Sequence, residues 1–252
     1  MTAAIEVKDL HYRYHDGTAA LRGICFAAAP GECVGLLGAN GSGKSTLLLH
    51  LNGILPETPG NPPAIWIDGE ALSRGSLERI RRKVGLVFQD PDDQLFCPTV
   101  REDVAFGPEQ LGLSQNQVAL RVQRALAMVS LDGYEQRNTH HLSRGEKRRV
   151  CIAGVLACEP TVLALDEPTS DLDPRGRREF KTLLAGIPAT KLIASQDLEM
   201  VVEMCSRVIV LDHGLIVATG PTLQVLNDEA LMLAHGLERP HILRHMHPHE
   251  RS

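Results

Sequence analysis

Cys33-Val34-Gly35-Leu36-Leu37 is a short apolar run that stops at Gly38-Ala39-Asn40-Gly41-Ser42-Gly43-Lys44-Ser45, after which Thr46-Leu47-Leu48-Leu49 continues as a helical stretch. The eight residues from Gly38 satisfy G-x-x-x-x-G-K-[ST], and their place between a buried strand and a helix is the context that gives this motif meaning. Glycines let backbone N–H groups converge on phosphate oxygens where side chains would block the approach. Lys44 is suited to the β and γ phosphates of a nucleotide and Ser45 to Mg²⁺, while the helix N-terminus adds the positive end of its dipole. A glycine-rich turn matching by accident is the alternative, and the strand–loop–helix context speaks against it.

Upstream, Ile5–Leu10 and Leu21–Ala28 read as strands. Downstream, Ile65–Ile67 and Val84–Phe88 read as further strands, and Val118, Val122, Ala125, Leu126 and Val129 recur at helical spacing in Gln117–Ser130. From Ser143 the expected order is helix, strand (Val162–Leu165), helix (Arg175–Leu184), strand (Lys191–Ser195) and helix. A hairpin-like pair, Val208–Leu211 and Leu215–Ala218, then turns around His213-Gly214. Strands alternating with helices predict an α/β fold with a parallel, doubly wound sheet, the mainly helical middle being an insertion into it. The apolar strand from Thr161 ends in Asp166-Glu167, which sets Asp166 at the carboxyl end of the sheet beside the phosphate loop. Asp166 can hold Mg²⁺ through water and Glu167 can polarise an attacking water.

The net charge of −5 provides no field that would collect nucleic acid. Six cysteines stand singly without C-x-x-C spacing and read as reduced core residues of a cytoplasmic protein. No apolar window approaches the roughly 18 residues of a spanning helix, and Thr2–Lys8 lacks the apolar region of a signal peptide. A membrane connection would come through a partner.

Leu142-Ser143-Arg144-Gly145-Glu146-Lys147 resembles the signature sequence of ATP-binding-cassette ATPases, usually written LSGGQ. Ser143-x-x-Glu146 before an apolar-periodic helix is also a capping box, and both readings can hold together, since a capped helix N-terminus facing outward is an anion site. Gln89 resembles the family's Q-loop residue, Ser170-Asp171-Leu172-Asp173 its D-loop, and Tyr14 the aromatic that stacks on adenine, with Tyr12 as its rival on the same face.

The resemblance, over about Ile5 to Gly220, implies a P-loop NTPase with a RecA-like parallel-sheet core, an antiparallel β subdomain and an inserted α-helical subdomain. The cassette would span 1–234, with its core in about 1–88 and 160–220 and its helical part in about 90–158, followed by a His-rich tail, 235–252. ATP and Mg²⁺ are the implied ligands. Gly38, Ala39, Asn40, Gly41, Ser42, Gly43, Lys44, Ser45, Thr46, Tyr14, Gln89, Asp166 and Asp173 would bind nucleotide. Ser143, Arg144, Gly145 and Glu146 would bind it from a second subunit, most simply another copy of the chain. Ser45, Gln89 and Asp166 would hold the metal, and Lys44, Glu167 and Gln196 would serve catalysis. One departure stands out. After the strand Lys191–Ser195 the family places a histidine, whereas this chain reads Ser195-Gln196-Asp197. Glutamine donates a hydrogen bond but cannot become cationic, so ATP binding is expected intact and hydrolysis slowed.

Val84-Gly-Leu-Val-Phe-Gln-Asp-Pro-Asp-Asp-Gln94-Leu-Phe, with Thr99-Val-Arg-Glu-Asp-Val-Ala-Phe-Gly107, is most similar to energy-coupling-factor importers of the cobalt and nickel type. That similarity implies a peripheral position on the cytoplasmic face of the membrane, under a transmembrane coupling protein with a substrate-capturing membrane component. Phe96 reads either as an apolar contact for the coupling protein or as a core residue. Vitamin uptake, a cytosolic cassette ATPase and a nucleotide-dependent interaction module are the alternatives. Fewer than about a hundred residues between Lys44 and Ser143 leave no room for the long coiled coil of repair-type cassettes. His245, His247 and His249 alternate and could converge on Ni²⁺ or Co²⁺, or belong to a mobile or partner-docking tail.

Overall fold

The structure, a computed structural model, describes residues 2–56, 60, 62–170 and 172–244 of the chain. In order, the elements are β1 (Ile5–Arg13), β2 (Ala19–Ala28), β3 (Cys33–Leu37), α1 (Lys44–Leu51), β4 (Ile65–Ile67), β5 (Glu70–Ala71), α2 (Leu77–Lys83) and β6 (Val84–Val87). Three helices follow: α3 (Val100–Gln110), α4 (Gln115–Met128) and α5 (Arg144–Leu156). The chain then returns through β7 (Val162–Asp166), α6 (Pro174–Gly186), β8 (Thr190–Ala194), α7 (Leu198–Met204), β9 (Arg207–Asp212) and β10 (Leu215–Pro221). It closes with α8 (Thr222–Asn227), α9 (Glu229–Ala234) and α10 (His241–Arg244).

Six strands form one sheet in the order β10-β9-β3-β8-β7-β6, parallel except for the β9–β10 hairpin. β7 and β8 are buried along their whole length, as expected of parallel strands covered on both faces. A second, antiparallel sheet, β2-β1-β4-β5, packs over one face of the first. α1 lies between the two. Its run Leu47-Leu48-Leu49-His50-Leu51 is buried nearly all round because both sheets need covering there. On the opposite face of the parallel sheet, a continuous core joins Leu163, Leu165 and Ile193 to the helices.

α3, α4 and α5 are the insertion between β6 and β7. Each begins with a capping box, at Thr99/Glu102, Ser114/Gln117 and Ser143/Glu146, so all three starts are written locally in the sequence. The helix read as Gln117–Ser130 is α4, with Val118, Val122, Ala125 and Leu126 buried. β1 runs three residues beyond the expected Leu10, because an irregularity at Asp9, whose φ is +49°, breaks the alternation and hides the second half of the strand.

Part of the stretch expected as a tail, 235–252, packs against the body of the fold. Leu243 is buried in the core, Leu237 packs against it, and His235 Nδ1 lies 2.9 Å from Asp212 Oδ2. The alternating histidines 245, 247 and 249 lie outside the described residues. Among the described residues no group of His, Cys, Asp and Glu is placed to hold a metal ion, and no helix is long and apolar enough to cross a membrane.

Candidate active site

The carboxyl ends of β3, β7 and β8 lie side by side in the sheet, and the residues that follow them meet in one cleft. Beyond β3, the loop from Gly38 curls back over the strand end. Gly38 has φ +148°, and a Cβ there would sit 2.2 Å from the Leu211 carbonyl oxygen. At Gly43 (φ +108°), the residue before α1, a Cβ would sit 2.6 Å from the Ala20 carbonyl oxygen. Glycine is required at both, by backbone conformation and by space. The β9–β10 turn braces the loop from outside, with Gly214 N–H donating to the Ser42 carbonyl at 3.0 Å.

Lys44 opens α1 and is only 7% exposed. Its ammonium donates to the carbonyls of Gly38 (2.7 Å) and Ala39 (3.0 Å), closing the loop into a ring. Burial lowers its pKa, against the pull of the nearby Glu167 and Asp166 carboxylates. Burial acts the opposite way on Asp166, the last residue of β7, raising its pKa, opposed first by a hydrogen bond from the Ser45 hydroxyl and then by the Lys44 charge.

Glu167 occupies the left-handed region with φ +43°, which costs a non-glycine residue roughly 1 kcal/mol. The turn is held by its N–H donating to the Ala194 carbonyl at 2.9 Å. One carboxylate oxygen, Oε2, accepts from the Ser195 hydroxyl (3.2 Å) and the Gln196 N–H (3.1 Å). The other, Oε1, is buried and lacks a hydrogen-bond partner among the described residues. Burial raises the Glu167 pKa despite the Gln196 and Ser195 hydrogen bonds. The Gln196 side chain crosses to the phosphate loop and donates to Asn40 Oδ1 at 2.6 Å.

These groups line a cleft of about 390 Å³ that also takes in Tyr14, Gly41, Thr46 and Gln89. Tyr14, 37% exposed, stands at its edge with its hydroxyl 2.9 Å from Thr46 Oγ1. Tyr12 packs edge-on against both Tyr14 and His50 and joins the core under the antiparallel sheet. Of the two rivals, Tyr14 is therefore the one free to offer a ring face. A larger hollow, about 690 Å³, lies along β1 and β2 beside His11, Arg13 and Arg22, and holds none of the carboxylates.

The donor set suits a triphosphate and a divalent cation. Ser42 Oγ and Glu167 Oε1 are buried polar atoms without partners among the described residues, and Ser45, Asp166 and Gln89 are among the residues lining the cleft and carry oxygen atoms. Glycine backbone, a lysine and oxygen-only ligands fit phosphate and a hard cation. Residues Ser143, Gly145 and Asp173 are elsewhere. They line a separate cleft of about 560 Å³ where the N-termini of α5 and α6 open side by side. Glu146 is committed to the cap of α5 and to the Tyr134 hydroxyl, and Arg144 reaches Asp90 at 3.6 Å. Asp171 lies outside the described residues.

The ABC transporter family profile matches residues 21–170, more than half of the chain. The chain belongs to this family. The cassette is 48% identical over 241 residues to the energy-coupling factor transporter ATP-binding protein EcfA of Methanothermobacter thermautotrophicus, covering 94% of this chain and 76% of that one. Other relatives carry only the general description of putative ABC transporter ATP-binding proteins. Among solved structures, CbiO1 of Clostridium perfringens, described as part of the ABC transporter complex CbiONQ, superposes with a TM-score of 0.79 at 38% identity, over 97% of this chain and 98% of that one. The cassette MJ0796, a dimer in a post-hydrolysis state bound to ADP and phosphate, gives a TM-score of 0.77 at 26% identity, over 86% and 98%. The protein is accordingly an ATP-hydrolysing cassette coupled to transport, of the dimeric kind that works with membrane components.

Several features of this cassette had no signature in the sequence. Thr18 and Ala20 line the cleft only because the β1–β2 turn brings them next to Tyr14. The bond from Gln196 to Asn40 joins residues 156 positions apart. Phe96 is settled by exposure. At 63% it is no core residue, and its ring meets that of Phe106 edge-on at 4.8 Å in an apolar patch on the insertion.

Proposed function

We propose that this chain is the ATPase subunit of an energy-coupling-factor importer, pairing head-to-tail with a second copy at the cytoplasmic face of the membrane, and that its cargo is cobalt or nickel ion. The observation that carries the pairing is the separation of the two clefts. A triphosphate resting on Lys44 would leave its γ-phosphate open on one side, while the capped N-terminus of α5 opens elsewhere on the same chain. Two-fold symmetry brings one against the other twice. The cargo rests on the likeness of Val84–Gly107 to importers of that type and on the likeness to CbiO1.

In this reading the loop N–H groups and Lys44 bind the β and γ phosphates, and Tyr14 stacks on adenine. Ser45, Asp166 and Gln89 would hold Mg²⁺, which neutralises charge on the phosphate oxygens when bound. Glu167 Oε1 accepts a hydrogen bond from the attacking water and takes its proton as the oxygen bonds to phosphorus and ADP leaves. Ser195 and the Gln196 N–H keep the opposite carboxylate oxygen fixed while this occurs. The Gln196 amide, turned from Asn40, can donate to a γ-phosphate oxygen but cannot add positive charge. Gln196→His should therefore raise steady-state phosphate release about tenfold, the usual scale for adding one charge-assisted contact, with ATP affinity changed less than about twofold. An unchanged or lower rate in a phosphate-release assay would remove Gln196 from this role.

Phe96 and Phe106 form the apolar contact for the transmembrane partner in this reading. The carboxylate of Asp103 accepts the N–H groups of Phe96 (3.0 Å) and Cys97 (2.9 Å), fixing the segment so that Phe96 projects. Phe96→Asp should leave folding and ATP binding intact, because the ring is exposed, and should cut capture of the membrane partner by about tenfold or more, as loss of an aromatic anchor does. Undiminished capture in a pull-down from membranes would place the contact elsewhere. Mass-spectrometric identification of the captured partner and its companion tests the importer class and cargo.

A further inference from the structure

Arg148 on α5 is fully buried, an unusual position for a guanidinium. One of its nitrogens, Nη1, donates to the Phe88 carbonyl at 2.5 Å, and Nη2 donates to the carbonyl of Gln89 itself. Nη2 also lies 3.4 Å from Ser170 Oγ, whose hydroxyl in turn donates to the Glu167 carbonyl at 3.0 Å. One planar fork thus touches the segment carrying Gln89 and the turn carrying Glu167, from the helix that Ser143 caps. A lysine ammonium, a single donor centre, cannot span these acceptors at once. The same segment is fastened to α5 at two further points. Gln94 links the Phe88 N–H to the Cys151 carbonyl, at 3.2 and 3.1 Å, and Lys147 meets Asp92 at 2.5 Å.

We infer that Arg148 is a positioning residue that joins the Gln89 segment, the α5 N-terminus and the Glu167 turn into one body, so that a push on the Phe96 segment by a membrane partner reaches both halves of the ATP site together. The inference rests on the proposed roles of Gln89, Glu167 and Ser143. Without Arg148 those residues remain, but the tie from α5 to the Ser170–Glu167 turn is lost and the Gln89 segment is left with the Gln94 and Lys147 ties to α5.

The test uses the full chain carrying Arg148→Lys or Arg148→Gln. The readouts are nucleotide affinity without Mg²⁺, the Mg²⁺ concentration giving half-maximal phosphate release, kcat, and amide hydrogen exchange over residues 88–94 and 167–170. Both variants should bind nucleotide within about twofold of wild type, since Arg148 does not touch the phosphate loop. Both should need about fivefold more Mg²⁺ and lose about tenfold in kcat, with faster exchange in both segments, the scale of losing a charge-assisted pair. Wild-type Mg²⁺ dependence and exchange in Arg148→Lys, or a parallel fall in Mg²⁺-free nucleotide affinity, would overturn the inference. If neither variant folds, Ser170→Ala takes their place. It leaves the Phe88 and Gln89 contacts and should lower kcat about threefold, one neutral hydrogen bond, without altering Mg²⁺ dependence; an unchanged kcat overturns the link to Glu167. A wild-type chain without Mg²⁺-dependent ATPase activity would instead sink the function proposed above, whatever the variants do.

Discussion

Glu167→Gln is expected to lower ATP turnover by at least about 100-fold, the range for removing a general base, while leaving ATP binding within a few-fold of wild type. The amide fits the same space, and its oxygen can still accept from Ser195 and the Gln196 N–H. What it cannot do is take a proton. The wild-type rate should also fall as pH is lowered through the raised pKa of Glu167, because only the ionised carboxylate accepts that proton. Stability moves in the opposite sense. A carboxyl whose folded pKa lies above its unfolded one contributes stability that is fully present below the unfolded pKa and is lost as pH rises through the folded value. At neutral pH the ionised Glu167 therefore works against folding in the nucleotide-free chain. Glu167→Gln should raise its melting temperature and flatten the dependence of that temperature on pH between the two values. A melting temperature equal to wild type at pH 7 would show that burial does not oppose the Glu167 charge, and a turnover within tenfold of wild type would show that Glu167 is not the base.

Lys44→Ala is expected to weaken ATP binding by about 100-fold or more, because an ammonium shared between two phosphates makes two charge-assisted contacts of up to a few kcal/mol each. In the structure this ammonium is held by the Gly38 and Ala39 carbonyls. Binding then exchanges two neutral acceptors for two charged ones, with the side chain already placed. Removing it also takes away the one lysine charge that opposes the burial of Asp166 and Glu167. Isothermal titration with ATP, checked by circular dichroism for an intact fold, measures the loss. Affinity within threefold of wild type would move the phosphate site away from this loop.

The phosphate loop was legible because everything it needs is local: eight consecutive residues, a buried strand before them and a helix after. The start of α5 was legible for the same reason, since the Ser143 box joins positions three apart; the boxes at Thr99 and Ser114 are as local, yet α4 begins two residues before the expected Gln117. Legibility fails where contacts are long-range or the periodicity is interrupted. The bulge at Asp9 resets the alternation of β1, so the approach to Tyr14 looks like a loop. α8, α9 and α10 are only six, six and four residues long, too short for a helical period, and Leu243 and His235 anchor their stretch singly. Arg148 sits among Lys147 and Arg149 in what reads as a solvated basic run, and only the closure of the Gln89 segment over α5 makes it the buried member.

The two clefts of the cassette have a consequence for how its activity scales. On the proposed pairing, a lone chain owns two half-sites and no whole one, so diluted chains idle and the specific activity climbs with concentration. A membrane partner that seats two cassettes side by side replaces that search by a fixed local concentration. The enzyme is then switched by confinement as much as by its nucleotide, and a copy away from the membrane partner wastes little ATP.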